Sequence, residues 1–158
     1  ARIPLIVSEP NVGMIRLLWW KERLDEIYKI NKVKNQPIIK CLVDIINGYN
    51  LPKKYFNQIV KYRQHDFNQE IYKTSEELAD YIDNTTGNIL RLSLCILGYE
   101  DLTAKDNSDI AHLSNALKIM YVIESLQKRN FNQHPFIALD ILDSLASKNA
   151  LEKLDELV

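Results

Sequence analysis

Between Thr74 and Gly98 the positions Leu78, Ile82, Thr85, Ile89, Leu92 and Ile96 recur every third or fourth residue, with no proline among them. That is the period of an α-helix rather than the alternation of a strand. "TSEE" at the start of the stretch sets Thr74 and Glu77 at capping-box spacing, which fixes where such a helix begins. The rest of the chain has the same character, because only four glycines and five prolines punctuate 158 residues and the stretches between them keep helical spacing. The pattern predicts an all-α fold.

The other helices follow from their punctuation. The first starts near Ser8, with Pro10 tolerated in its opening turn, and runs to about Tyr28. The second spans Pro37 to Gly48, where glycine is expected to supply the left-handed residue that ends it. The third runs from Pro52 to His65 or Asp66, and the fourth continues unbroken from Thr74 to Gly98. A fifth, from about Ser108 to Arg129, presents Ile110, Leu113, Leu117, Met120 and Ile123 or Tyr121 to the core. Two short helices follow Pro135, the second capped by Asn149 with Glu152. No repeat or second domain interrupts residues 1–158, so a single helical domain is expected.

Composition narrows the function. With 46% hydrophobic residues the chain can bury a core, and 20 basic against 21 acidic side chains leave a net charge of -1. No overall field therefore draws nucleic acid. Cys41 and Cys95 lack the spacing of a zinc site or redox pair and are expected as reduced core thiols in a cytosolic-type compartment. No apolar run reaches the roughly 20 residues that span a bilayer, and the N-terminus lacks a signal-peptide layout.

Generic catalytic motifs are missing. His65, His112 and His134 lie on different elements with no partner four residues away, so nothing anchors zinc. Asp80 with Asp83, Asp106 with Asp109 and Asp140 with Asp143 have the spacing of a Mg²⁺ pair, but helix starts and solvated faces explain them better. There is no glycine-rich phosphate loop and no nucleophile elbow. In "GMIRLLWWKERLDEIY", the adjacent Trp19 and Trp20 cannot both face one core. A core-facing stripe with a polar rim explains most of that mixture.

A resemblance covers more of the chain than any of these motifs. "VSEPNVGMIRLLWWKERLDEIY", then "QPIIKCLVDIINGYNLPKKYFNQIVKYRQHDF", then "YKTSEELADYIDNTTGNILRLSLCILGYE" resemble the squalene/phytoene synthase family, most strongly over residues 7–125. Tyr81 with Gly87 matches the family's YxxxxAG helix, although Thr86 stands where alanine is usual. The resemblance implies an all-α, single-domain bundle of the isoprenoid synthase type, in a partial version. It also implies a chemistry: two prenyl diphosphates condensed with Mg²⁺ held by two aspartate-rich motifs. In that case Tyr81 and Asp66 would be catalytic, with Arg16, Trp20, Arg63 and Gly87 at the substrate.

The departures point elsewhere. Near the first motif's position "ARIPLIVSEP" offers only Glu9, and "NALKIMYVIESLQKRN", where the second belongs, offers only Glu124. The leading expectation is therefore a catalytically degenerate member that needs no cofactor and serves as a binding or assembly module. The alternative is a Mg²⁺-dependent prenyltransferase. "VSEP…GMIRLLWW" is also similar to the branch that includes a mitochondrial complex I assembly factor, which implies a respiratory-complex subunit as partner and peripheral contact with the inner membrane.

Overall fold

The computed structural model describes residues 10–30, 36–67, 72–99 and 101–127, together with 138 and 140. The expected helix start at Ser8, Glu9, the end at Arg129, the two helices after Pro135 with their cap at Asn149, and the side chains of Tyr121 and Ile123 lie outside the described residues. Among the described residues there are six α-helices: α1 Pro10–Ile30, α2 Pro37–Gly48, α3 Lys53–Tyr62, α4 Ser75–Ile82, α5 Asn88–Ile96 and α6 Ala104–Gln127. A 3₁₀ turn, Arg63–Phe67, extends α3, and a π turn, Asp83–Gly87, joins α4 to α5.

Helices α1 and α5 both pack on α3, and α6 lies against the π turn and α4. Ile27, Ile39, Ile46, Leu51, Tyr55, Leu92 and Cys95 form one buried cluster. Leu17, Leu24, Val60 and Phe67 form a second between α1 and the end of α3. Gly13 makes that contact possible, because a Cβ there would run into the Phe67 ring. Ala138, fully buried, joins Tyr72, Leu78, Tyr81 and Ile82 in a third.

The caps follow the sequence closely at α4. Thr74 accepts a hydrogen bond from the Glu77 amide at 3.2 Å, while the Glu77 carboxylate accepts from the Lys73 amide at 2.9 Å. Helix α6 starts earlier than Ser108 because Thr103 and Asp106 build the same device. The Thr103 hydroxyl accepts from the Asp106 amide at 3.2 Å, and Asp106 accepts from the Thr103 amide at 2.8 Å.

Four expectations are corrected. After α2 the left-handed residue is Asn50, at φ 49°, and not Gly48; asparagine tolerates that region better than other side chains. Cys41 is exposed, so only Cys95 is a core thiol. On α6 the inner face is Ile110 and Ser114, and Leu113, Leu117 and Met120 face outward.

The fourth correction concerns register. The helical path from Ser75 to Ile96 contains the π turn, where side chains compete for the backbone. The Thr85 hydroxyl donates to the Tyr81 carbonyl at 2.7 Å, and the Asn84 and Asn88 amides donate to the carbonyls of Asp80 and Asn84. A π turn accommodates an extra residue, so the buried face beyond it rotates. Asn88, Arg91 and Cys95 join Leu92 inside, and Ile89 and Ile96 come to the surface at 46% and 40% exposure.

Candidate functional site

An apolar cavity of about 260 Å³ lies between α1, α2, α3 and α5, walled by Leu17, Trp20, Leu24, Leu42, Phe56, Ile59, Val60, Phe67 and Ile89. Its polar lining is Arg63 and Asp66. The 3₁₀ turn explains their pairing, since residues three apart eclipse in such a helix. Arg63 Nη1 donates to Asp66 Oδ2 at 3.1 Å and to the Tyr81 hydroxyl at 3.0 Å, and Tyr81 in turn donates to Asp66 Oδ1.

Burial sets the electrostatics. Tyr81, 2% exposed, is pushed well above the ordinary tyrosine range by its burial, with Arg63 opposing and Asp66 adding to the shift. Tyr72 is pushed up by burial and then by Tyr81 and Asp66, and its hydroxyl is buried without a hydrogen-bond partner among the described residues. His65 stacks on Tyr72 with ring centroids 4.4 Å apart. Lys118 stands half-buried on α6, one turn beyond Ser114. Burial and the Arg63 charge bring it down to about 8, against the pull of Asp66.

Of the residues singled out in the sequence, the fold gathers Trp20, Arg63 and Asp66 at the cavity and places Tyr81 against the last two. Arg16 is exposed on α1 and does not line the cavity. Gly87 belongs to another place, beneath an ion pair between Asp83 and Arg91. A Cβ there would sit 2.5 Å from Asp83 Oδ1 and 2.9 Å from Arg91 Nη1.

The two indoles resolve differently from the expectation that only one meets the core. Trp19 and Trp20 are both half-buried against the first cluster, edge to face with centroids 5.0 Å apart. Trp20 turns to the cavity, while Trp19 lies under the Arg23 guanidinium at 5.8 Å.

Lys118 and Tyr72 were not singled out from sequence. A lone lysine inside the apolar run "NALKIM" is the one signal that could have found the first; nothing local marks the second.

The donor set does not fit Mg²⁺. Mg²⁺ is usually held by one or two carboxylates plus substrate oxygens and water. Here Asp66 is the one carboxylate among the cavity-lining residues, and both its oxygens are engaged by Arg63 and Tyr81. Four of the six spaced aspartates are occupied as well. Asp80 accepts from the Tyr62 hydroxyl at 2.8 Å, Asp83 pairs with Arg91, Asp106 caps α6, and Asp140 accepts from the Ser75 amide and hydroxyl. Among the described residues no three His, Cys, Asp or Glu side chains converge on a point.

An all-α bundle enclosing an apolar cavity with a buried Arg-Asp-Tyr group defines the class: a fold of the isoprenoid synthase type. The chain belongs to the squalene/phytoene synthase family, whose profile matches residues 1–151. It is similar to complex I assembly factor 6 of Bos taurus, 29% identical over 97% of this chain and 46% of that protein. The Homo sapiens assembly factor 6 is 29% identical over 89% of the chain and 41% of its own length. The Dictyostelium discoideum homolog is 34% identical over 72% of the chain and 31% of its own. The chain thus spans less than half the length of these relatives. No solved structure matches it.

Proposed function

We propose that the chain is a non-catalytic, protein-binding module that acts in the assembly of respiratory complex I and needs no metal. The observation that carries this reading is the state of Asp66, the one carboxylate among the described cavity-lining residues, whose two oxygens are both engaged by Arg63 and Tyr81. On α6, where a synthase of this family would place its second aspartate-rich motif, stands the half-buried Lys118. Cations there oppose Mg²⁺ binding, and without the metal the diphosphate leaving group loses its principal stabilisation.

The names of the relatives supply the process, and a complex I subunit is the partner they suggest. Exposed apolar side chains on α6, Leu113, Leu117 and Met120, offer contact surface of the kind partners cover. Among the described residues no helix is long and apolar enough to cross a membrane. A peripheral position at the inner membrane is the localisation that this reading implies.

The test is deletion of the gene in the organism that encodes it, with native-gel measurement of complex I. Reduced assembly, restored by the wild-type gene and by Tyr81→Phe, is the expected result. Normal complex I in the deletion strain would overturn the reading, as would Mg²⁺-dependent condensation of farnesyl diphosphate by the purified protein.

A further inference from the structure

The apolar cavity has one polar corner, and that corner has donors to spare. Among the described residues every hydrogen bond of Arg63 leaves from Nη1, to Asp66 and to Tyr81, so Nε and Nη2 hold no partner there. Both nitrogens stay open to an incoming group, because the sealed side-chain atoms without a partner among the described residues are Arg23 Nε and the Tyr72 hydroxyl. Arg63 lines the cavity, and its side chain is only 20% exposed, so little bulk water serves those donors. A donor set among apolar walls is costly until something accepts from it.

The ion pair decides what that acceptor is. Asp66, 3.1 Å from Arg63 on a side chain 5% exposed, already neutralises the guanidinium. It is the one carboxylate among the described cavity-lining residues, and each of its oxygens accepts a bond from Arg63 or Tyr81. A second anion on the same guanidinium would be repelled by that buried carboxylate. An uncharged oxygen that only accepts meets the spare donors without this penalty, and a carbonyl is such a group. Size limits the rest of the molecule. An apolar cavity of about 150 Å³ admits a six-carbon ring. At about 260 Å³ this one admits roughly ten non-hydrogen atoms, far fewer than two long prenyl chains contain.

We propose that the cavity binds, without metal, one uncharged aliphatic ketone or aldehyde of medium chain length. Its carbonyl oxygen accepts from Arg63 Nε or Nη2, and its chain lies along Trp20, Leu24 and Phe56. The proposal goes beyond the assembly role and does not depend on which partner is bound.

Titration calorimetry of the purified chain with three ligands of one size tests it: methyl hexyl ketone, its analogue with CH₂ in place of the carbonyl oxygen, and heptanoate. The ketone is expected to bind one to one, equally with and without Mg²⁺, and about tenfold more tightly than either of the others, since the alkene lacks the hydrogen bond to a charged donor and the carboxylate meets Asp66. Arg63→Met is expected to bring the ketone down to the affinity of the alkene and to leave the alkene unchanged. Ile89→Trp, at a wall position that is 46% exposed, is expected to fill the cavity and abolish binding of both. Circular dichroism shows that each variant is folded; should Arg63→Met fail to fold, the ketone and alkene affinities of the wild type and of Ile89→Trp decide. Equal affinity for ketone and alkene, no ketone binding, tighter binding of heptanoate, ketone binding undiminished in Ile89→Trp, or tighter Mg²⁺-dependent binding of farnesyl thiodiphosphate would overturn the proposal.

Discussion

Among the described residues two arginines are each paired with an aspartate, Arg91 buried and Arg63 half-buried, and they are built for different ends. Arg91 is saturated. Its Nε donates to Asn107 at 2.9 Å, Nη1 to the Asp83 carbonyl and to Asn88 at 3.2 Å, and Nη2 to both Asp83 carboxylate oxygens at 2.9 and 3.2 Å. These bonds tie α5, the π turn and the start of α6 together beside a polar pocket of about 580 Å³. Arg63 bonds through one nitrogen only, next to a second cation and an unpartnered tyrosine hydroxyl. The first arginine closes a structural joint. The second, only half-buried, ties the 3₁₀ turn to Tyr81 and spans less of the fold.

Breaking each pair should expose that difference. Arg91→Met leaves Asp83 and Asn107 without their donor, and loss of one partner from a buried pair costs about 3 kcal/mol or more. A lower midpoint of urea unfolding is the expected outcome. A midpoint within experimental scatter of the wild type would show that Arg91 is not the joint. Tyr81→Phe removes a smaller element, one hydroxyl that bridges Arg63 and Asp66, and should cost about 1–2 kcal/mol by the same measurement. The Arg63–Asp66 contact spans the 3₁₀ turn without Tyr81, so the cavity should survive and a ligand should still bind.

The same contrast explains how far the sequence could be read. The cap at Thr74 was legible because it depends on residues three apart in the chain. Arg63, Asp66 and Tyr81 were legible as a group through the family's motif order, not through their spacing. The π turn was not legible. Asn84, Thr85, Thr86 and Gly87 are weak helix formers, but whether they break a helix or widen it depends on side-chain bonds such as that from Thr85 to Tyr81. Once the turn is in place, Arg91 goes inside and Ile89 outside, against their hydrophobicity. The outward Leu113, Leu117 and Met120 show the same limit from the other side. Periodicity identifies an apolar face, and it does not say what covers that face.

The smallest effect separates the two arginine sites by charge. Lys118 ordinarily releases its proton near 10.5 and does so near 8 in the fold, chiefly because it is buried and then because Arg63 repels it. Between those values the unfolded chain binds more protons than the native one, so native stability rises with pH. The contribution is fully present above 10.5 and is lost as pH falls through 8. Tyr28, Tyr72 and Tyr81 are all shifted upward from 10, so their own contribution is intact below pH 10 and declines only above it. The interval from pH 8 to 10 therefore reports on Lys118. Urea unfolding across it should show the wild type gaining about 1 kcal/mol relative to Lys118→Met, a figure already discounted for solvent screening of a partly exposed group. At pH 7 the variant should be the more stable of the two, because it no longer holds a half-buried cation beside Arg63. Parallel pH profiles would mean that Lys118 feels neither the burial nor the repulsion that lowers it. Diverging profiles would mean that the lysine lowers stability at neutral pH, whereas the saturated Arg91 adds to it.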